Sequence, residues 1–271
     1  MKQRSLARYR KVCLIGWILL FLDAPHLLMA EPTPAAVAVF NAYSKTVEAR
    51  LAQQHRTQGA FLAAPGSGNA QARLRAGELI IERLNPPAGA EASGALLHHW
   101  RGTAFAPGAK PADFERLIKD FNSYPQHFSP QVLQAGVLAS TPDRMRAWMR
   151  VRQKHVITVV MDTAYDIDFG RLDVQHGYSI SRSTRVAEID AAGTNKEHAL
   201  SGDEEHGFLW RLNTYWSYEE RDGGLYLQIE TISLTRAIPH GLGWVIRPYV
   251  ESIPRESLEF TLRSACNAIR K

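Results

Sequence analysis

One arginine stands out among the side chains that could do chemistry. Residues two apart on a strand share a face, and in the segment GYSISRSTRV one face carries Arg182 with apolar or small neighbours: Tyr178, Ile180, Thr184 and Val186. We predict that this face points inward, where an unpaired guanidinium is costly. Two alternatives stay open. Arg182 either binds a ligand carboxylate or phosphate through two hydrogen bonds, or forms an internal ion pair with Asp162, Asp166 or Glu230.

The same alternation predicts an inward surface rich in aromatic side chains. The inward set of the segment FLWRLNTYWSYEE is Phe208, Trp210, Leu212, Thr214, Trp216 and Tyr218. Two further segments contribute Ile157, Val159, Met161, Tyr165 and Ile167, and Leu225, Leu227, Ile229, Thr231 and Ser233. Such a surface either fills a core or lines a cavity. The ligand-binding residues predicted from these sets and from the arginine are Arg182, Tyr165, Trp210, Thr214, Trp216, Tyr218 and Thr231.

Motifs for metal, nucleotide or covalent chemistry are missing. His98 and His99 are adjacent on an apparent strand, so they point to opposite faces, and no histidine pair has zinc-site spacing. The sequence has no Gly-x-Ser-x-Gly nucleophile turn and no phosphate-binding loop of the Walker type. We therefore predict no catalytic residue, no metal and no cofactor. A cavity enzyme needs no motif, however, and in that alternative the titratable groups would be His155, Asp162 or Arg182.

The first thirty residues have the pattern of a secretory signal peptide. Five basic residues precede a short apolar run over residues 12–22, and Ala30 supplies a small residue for cleavage. The apolar run is about half of the ~20 residues that a bilayer span requires. We predict cleavage of residues 1–30, hence a periplasmic or secreted protein with no stable membrane span.

Removal of this leader changes the charge balance. The leader holds five of the 32 Lys and Arg residues and one of the 27 Asp and Glu residues, so the formal net charge falls from +5 to +1. No basic patch remains, and we expect no nucleic acid partner. Cys266 is then the one cysteine left in the sequence, so the fold must depend on packing and not on disulfides.

Element order follows from periodicity and turn residues. A helix is predicted after Pro34, and a strand over ELIIERL. A helix that starts near Pro111 should stop at Pro125, with Tyr124 pushed toward extended geometry. A series of strands without intervening helices follows, which favours an antiparallel sheet, and Asp222-Gly223-Gly224 predicts a hairpin turn. The chain closes with a long amphipathic helix that needs the sheet as its partner.

Four segments define this order: an opening strand over 100–108, a helix-to-strand crossing over 120–125 with Pro130, a last strand over 230–239 and a closing helix over 253–269. On these segments, the sequence resembles the START-like helix-grip superfamily, which includes lipid-transfer proteins, polyketide cyclases and other binders of hydrophobic ligands. The chain looks like an exported bacterial branch of that superfamily. The resemblance implies an α+β helix-grip fold over residues 96–271, a curved antiparallel sheet wrapped around the C-terminal helix. Residues 31–95 depart from the minimal pattern and add an N-terminal helix and extension.

The function expected from the leader, the aromatic faces and the resemblance is that of an exported carrier. It would hold a hydrophobic small molecule, lipid-like or isoprenoid-like, between the sheet and the C-terminal helix. One alternative is a cavity enzyme of the cyclase, dehydratase or hydrolase type. Another is an interaction protein with a filled core, whose residues 31–95 dock on an envelope protein partner.

Overall fold

The computed structural model describes residues 31–66, 68–86, 94–154, 157–237 and 243–270. The predicted leader, residues 1–30, lies outside the described residues, and so does His155.

Antiparallel strands build a nine-stranded sheet with the order β1-β2-β9-β8-β6-β5-β4-β3, and a short β7 pairs with one end of β6. The strands are β1 (Ile80–Leu84), β2 (Ala95–Pro107), β3 (Val132–Ser140), β4 (Arg144–Lys154), β5 (Thr158–Arg171), β6 (His176–Asp190), β7 (His198–Ala199), β8 (Arg211–Arg221) and β9 (Gly224–Arg236). All the strand pairs of the described residues are antiparallel. The predicted antiparallel sheet is confirmed.

A tight turn joins β8 to β9. Arg221 pairs with Gly224, and Asp222 and Gly223 between them have φ angles of 56° and 76°. Glycine adopts such angles without steric cost, and aspartate tolerates them. The hairpin predicted from Asp222-Gly223-Gly224 is therefore confirmed.

One helix crosses an end of the sheet. It is α3 (Pro111–Lys119), which begins with proline at a first-turn position, where the missing N–H costs nothing. The side chain of Asp113 accepts a hydrogen bond of 3.0 Å from the backbone N–H of Lys110 and so caps the helix. Its apolar side chains Phe114, Leu117 and Ile118 are buried toward the sheet.

The break after α3 differs from the sequence prediction. The helix ends at Lys119, and a 3₁₀ turn (Phe121–Ser123) and the short helix α4 (Tyr124–His127) follow. Tyr124 is helical, with φ −56° and ψ −39°, so the expectation of an extended Tyr124 is wrong. Proline is tolerated in a first helical turn, and Pro125 therefore lies at the start of α4 instead of ending α3.

The sheet wraps around the C-terminal helix α5 (Gly243–Ile269), as predicted. We call the sheet face toward α5 the inner face. Leu258 and Leu262 of α5 lie directly on Gly102 of β2, where a Cβ atom would come within 2.5 Å of the Leu262 side chain. A glycine at this position is what allows the helix to approach the strand so closely.

A second layer covers the opposite, outer face. It contains α1 (Pro34–Gln54) and α2 (Ala70–Arg75), and Thr33 caps α1 by accepting a hydrogen bond from Ala36 N. The apolar side of α1 packs on β8 and β9 through Phe40, Val47, Leu51, Tyr215, Ile232 and Leu234. β1 precedes β2 and pairs with it along the sheet edge. Residues 31–86 thus form an extra layer and an edge strand of the same sheet.

Charged groups join this layer to the sheet. The guanidinium of Arg182 lies 2.9 and 2.8 Å from the two carboxylate oxygens of Glu48 on α1. Arg50 of α1 reaches the buried carboxylate of Glu230 on β9, at 2.5 Å. Because Glu230 is 2% exposed, its charge requires such partners.

Candidate functional site

A cavity of about 440 Å³ lies between the inner face of the sheet and α5. One end is closed by aromatic side chains from α3 and from the segment that follows it, namely Phe114, Phe121 and Phe128. At the other end, the lining residues Ile157 and Phe208 are partly exposed to solvent. The cavity therefore reaches the surface near the start of β5 and β8.

Most of the wall is apolar. β4 and β5 contribute Met149, Val151, Val159, Met161, Tyr165, Ile167 and Phe169. From the opposite side, α5 contributes Leu258, Phe260 and Ala265. Burial raises the pKa of Tyr165 to about 12, so its phenol stays neutral at physiological pH. A molecule in this cavity would meet a surface with little charge.

Neutral hydroxyl groups interrupt the apolar wall on β6, β8 and β9. Ser179 and Ser181 line the cavity from β6, Thr214 from β8, and Thr231 from β9. Thr163 and Thr261 also belong to the lining, but their hydroxyls donate to the backbone carbonyls of Met149 and Ser257. The wall thus contains both occupied and available hydrogen-bonding groups.

A buried carboxylate fixes the rim of the open end. Glu188 of β6, 3% exposed, accepts hydrogen bonds from the backbone N–H groups of His206 and Phe208 and from Nδ1 of His206, at 3.0, 3.1 and 2.8 Å. Gly207 between them has φ 75°. This segment carries Phe208 into the lining. Its backbone is held by the carboxylate and not by regular secondary structure.

Four of the predicted binding residues meet in this cavity. Tyr165, Thr214, Trp216 and Thr231 all belong to its lining. The inward sets predicted for β5 and β9 agree with this placement, since Ile157, Val159, Met161, Ile167, Ile229 and Ser233 line the cavity as well. Their role in binding stays a prediction.

Trp210 and Tyr218 lie outside the lining. Trp210 is buried in the cluster that packs against α1. Tyr218 is 2% exposed and packs edge-on against Phe114, and its hydroxyl donates a hydrogen bond of 2.9 Å to Glu115. Burial and the neighbouring Glu115 raise the pKa of this tyrosine. Trp210 thus belongs to the outer-face cluster, and Tyr218 packs in the inner-face core beside Phe114 at the closed end of the cavity.

Arg182 lies on the outer face, so the prediction that it points inward is wrong. It forms ion pairs with Glu48 and, at 2.7 Å, with Asp168. These hydrogen bonds raise its pKa. The ion-pair alternative describes its contacts, but with carboxylates other than the three considered from the sequence.

The error has a physical cause. The prediction assigns the more apolar face of β6 to the core, but the outer face of this strand is also covered by protein. Ile180 packs against the α1 cluster, and Tyr178 stacks on His55, with ring centroids 4.3 Å apart. The small residues Ser179 and Ser181 therefore face the cavity, and sequence reasoning missed them. The serines at alternate positions were a signal for a cavity wall, because small side chains leave space.

Two of the titratable groups proposed for an enzyme, Asp162 and Arg182, do not line the cavity, and the third, His155, lies outside the described residues. Asp162 is held by Arg150 through two hydrogen bonds of 2.7 and 2.9 Å, and Arg182 is on the outer face. The described residues contain no group of three or more His, Cys, Asp or Glu side chains that could hold a metal ion. Within the described ranges, no helix combines the length and apolar character that a bilayer crossing requires.

No protein-family model matches the sequence, and no curated protein does. Several solved structures match the fold. The Zhui aromatase/cyclase from Streptomyces sp. R1128 is 11% identical, with a TM-score of 0.44, and the match covers 64% of this chain and 93% of that one. A STAR-related lipid transfer protein from Xanthomonas axonopodis is 16% identical, with a TM-score of 0.36 and coverage of 66% and 98%. A START superfamily protein from Mycobacterium smegmatis is 13% identical, with a TM-score of 0.39 and coverage of 65% and 96%. START-related and aromatase/cyclase proteins, which the sequence resembles, are thus among the structures similar to this chain.

Proposed function

We propose that this protein binds and carries a hydrophobic small molecule, lipid-like or isoprenoid-like, in the cavity between sheet and α5. The supporting observation is the cavity itself, with a volume of about 440 Å³ and walls that are mainly aliphatic and aromatic. Small-molecule sites typically have a volume of roughly 300–1,000 Å³, apolar walls and a few polar groups. Transfer of an apolar ligand into it gains roughly 25 cal/mol per Å² of apolar surface removed from water.

Closing the cavity from inside tests this proposal. Ser181 lies on the cavity wall, so Ser181→Phe places a ring in the space that the ligand would occupy. We expect at least a tenfold loss of affinity for a fluorescent apolar probe such as N-phenyl-naphthylamine, with the circular dichroism spectrum retained.

The matched control is Thr184→Phe, the same new side chain at an exposed position of the same strand. It should leave probe binding unchanged. Equal binding by the wild-type protein and Ser181→Phe would contradict the proposal. Native mass spectrometry of protein purified from its own cells supplies an independent check, because a carrier should retain a co-purifying small molecule.

Export is the second part of the proposal. It is supported by the basic and apolar pattern of residues 1–30. Cell fractionation with N-terminal sequencing should find a chain that begins near Glu31 outside the cytoplasm. A full-length chain confined to the cytoplasm would contradict export without affecting ligand binding. An envelope protein partner stays a prediction.

A further inference from the structure

Three hydroxyl groups form a continuous row across the inner face of the sheet. Ser181 of β6 is directly opposite Thr214 of β8, and Thr214 is directly opposite Thr231 of β9. All three line the cavity. Directly opposite side chains on neighbouring strands have Cβ atoms about 5 Å apart, so the row presents three closely spaced hydroxyls.

The two sides of the row differ. On its closed-end side, the next inward residues of β8 and β9 are Trp216 and Ile229, which pair with each other, and Ser179 of β6 is opposite Trp216. On the open-end side, Leu212 of β8 is opposite Ser233 of β9, which also lines the cavity. A ligand that extends along the cavity would therefore pass from a mainly apolar wall to the hydroxyl row and then to a wall of mixed polarity.

The three hydroxyls of the row are available. None of them forms a hydrogen bond with another residue of the described ranges. The three residues are neither fully buried nor exposed, as expected for side chains that face an internal space. The hydroxyl of Thr261, also part of the wall, differs in this respect because it donates to the carbonyl of Ser257, at 2.8 Å.

We infer that the Ser181–Thr214–Thr231 row binds a neutral carbonyl or hydroxyl oxygen carried within the apolar skeleton of the ligand. This inference rests on the proposed function and narrows its ligand class. A hydroxyl can donate to a carbonyl oxygen or accept from an alcohol. The row therefore suits both kinds of neutral oxygen function.

An ionised group at the row is disfavoured. The row contains no charged side chain, and a carboxylate or phosphate buried there without a cation would be costly. Among the described lining residues, Arg236 alone carries a permanent charge. Arg236 is the last residue of β9, five residues after Thr231, and therefore lies toward the open end of the cavity. The ligand class is thus an oxygenated but uncharged apolar molecule at this point of the cavity.

A matched pair of probes tests the row. The first probe is nonadecan-10-one, a symmetrical ketone with a central carbonyl group. The second is nonadecane, the alkane of the same chain length. Both are measured by displacement of N-phenyl-naphthylamine from the wild-type protein and from the double variant Thr214→Val/Thr231→Val. Valine keeps the shape of threonine and removes the hydroxyl. We expect the variant to bind the ketone about tenfold more weakly, a difference of about 1.4 kcal/mol, while alkane binding stays equal or improves, because only the ketone can hydrogen-bond to the row.

The control is Thr261→Val, which removes a lining hydroxyl that is already occupied. It should leave the ratio of ketone to alkane affinity unchanged. If both probes bind and the double variant shows the wild-type ratio, the row inference is overturned while the proposed function stands; this is also the result expected if the row only holds water. If neither probe nor the fluorescent reporter binds the wild-type protein, the proposed function fails and the row inference with it.

Discussion

The two faces of the sheet are both covered, but they are covered differently. On the inner face, α5 packs closely on β2 at Gly102, and a cavity with neutral hydroxyls in its wall lies between α5 and other strands. On the outer face, α1 packs on β8 and β9, and its contacts include ion pairs such as Arg50 with Glu230. Neighbouring residues of one strand illustrate the contrast, because Glu230 is held by three charged or titratable partners and Thr231 by none that the structure describes. The charged groups of the outer face thus have charged or titratable partners, whereas several neutral hydroxyls of the inner face have none among the described residues.

The largest expected effect comes from breaking the buried outer-face network. Nε2 of His99 lies 2.9 Å from Glu230, and the Tyr43 hydroxyl lies 2.8 Å from Nδ1 of His99. Burial raises the pKa of Glu230, but hydrogen bonding to His99 and the charge of Arg50 outweigh it and hold the pKa below its usual value. We expect His99→Leu to lower the free energy of unfolding by about 3 kcal/mol, measured by chemical denaturation.

Thr163→Val is the control, a buried position on the cavity side of the sheet. Its hydroxyl donates to the backbone carbonyl of Met149 at 3.0 Å, a neutral hydrogen bond, so the loss should be nearer to 1 kcal/mol. Equal losses for the two variants would remove the distinction between the faces.

Acid should weaken the outer layer next. His55 stacks on Tyr178 and lies 2.7 Å from the Ser217 hydroxyl, and burial lowers its pKa to about 4 from an ordinary value of 6.5, helped by the charge of Arg50. The unfolded chain therefore binds a proton at a higher pH than the folded one. The stabilisation is complete above about pH 6.5 and is lost as the pH falls toward 4. Near pH 5 the expected loss is about 2 kcal/mol, measured by denaturation across a pH series.

His55→Gln separates this contribution from those of other groups. Glutamine can still form a hydrogen bond with Ser217 but does not titrate. The variant should lose less stability than the wild type between neutral pH and pH 5. The same pH dependence in both proteins would show that His55 does not govern the acid response.

Substitution of Arg182 should have a smaller effect on stability and no effect on binding, because this residue lies on the outer face. It is 38% exposed on the outer face and pairs with Glu48 and Asp168. Because partly exposed ion pairs contribute little, we expect Arg182→Gln to cost about 1 kcal/mol of stability and to leave probe binding unchanged. Arg185→Gln, an exposed position of the same strand, should change neither quantity. Loss of probe binding in a folded Arg182→Gln variant would show that this arginine takes part in ligand binding.

The smallest effect on stability is expected on the inner face. Thr231→Val removes a hydroxyl without a described partner and adds a methyl group, so the free energy of unfolding should change by no more than about 0.5 kcal/mol. A loss of more than about 2 kcal/mol in thermal or chemical unfolding would show that the hydroxyl is structural.

Sequence patterns predict the fold further than they predict the site. Period-two alternation and the Asp222-Gly223-Gly224 turn are local signals, and they predict the antiparallel sheet and the hairpin between β8 and β9 correctly. They do not place the boundary between β4 and β5, and they do not predict the short β7. The short helix α2 was missed because the surrounding segment is rich in Gly, Ala and Pro. Tyr124 was misassigned because a proline can begin a helix as well as end one.

Side-chain direction on β6 could not be read from that strand alone. Alternation identifies two faces but not which of them points inward when both are covered. On β5 the outer positions Asp162, Asp166 and Asp168 are acidic, so the predicted inward face is correct. On β6 the outer residue Ile180 is apolar because α1 lies over it. Knowing the position of α1 was necessary to choose the correct face.

The position of α1 and β1 also bears on how this protein can be handled. A fragment trimmed to the minimal helix-grip region, residues 96–271, would lose the cover over Tyr215, Ile232 and Leu234 and the strand that pairs with β2. Bare apolar surface beside an unpaired sheet edge promotes self-association. Recombinant material that begins at residue 96 should therefore be poorly soluble, whereas material that begins at Glu31 retains both protections.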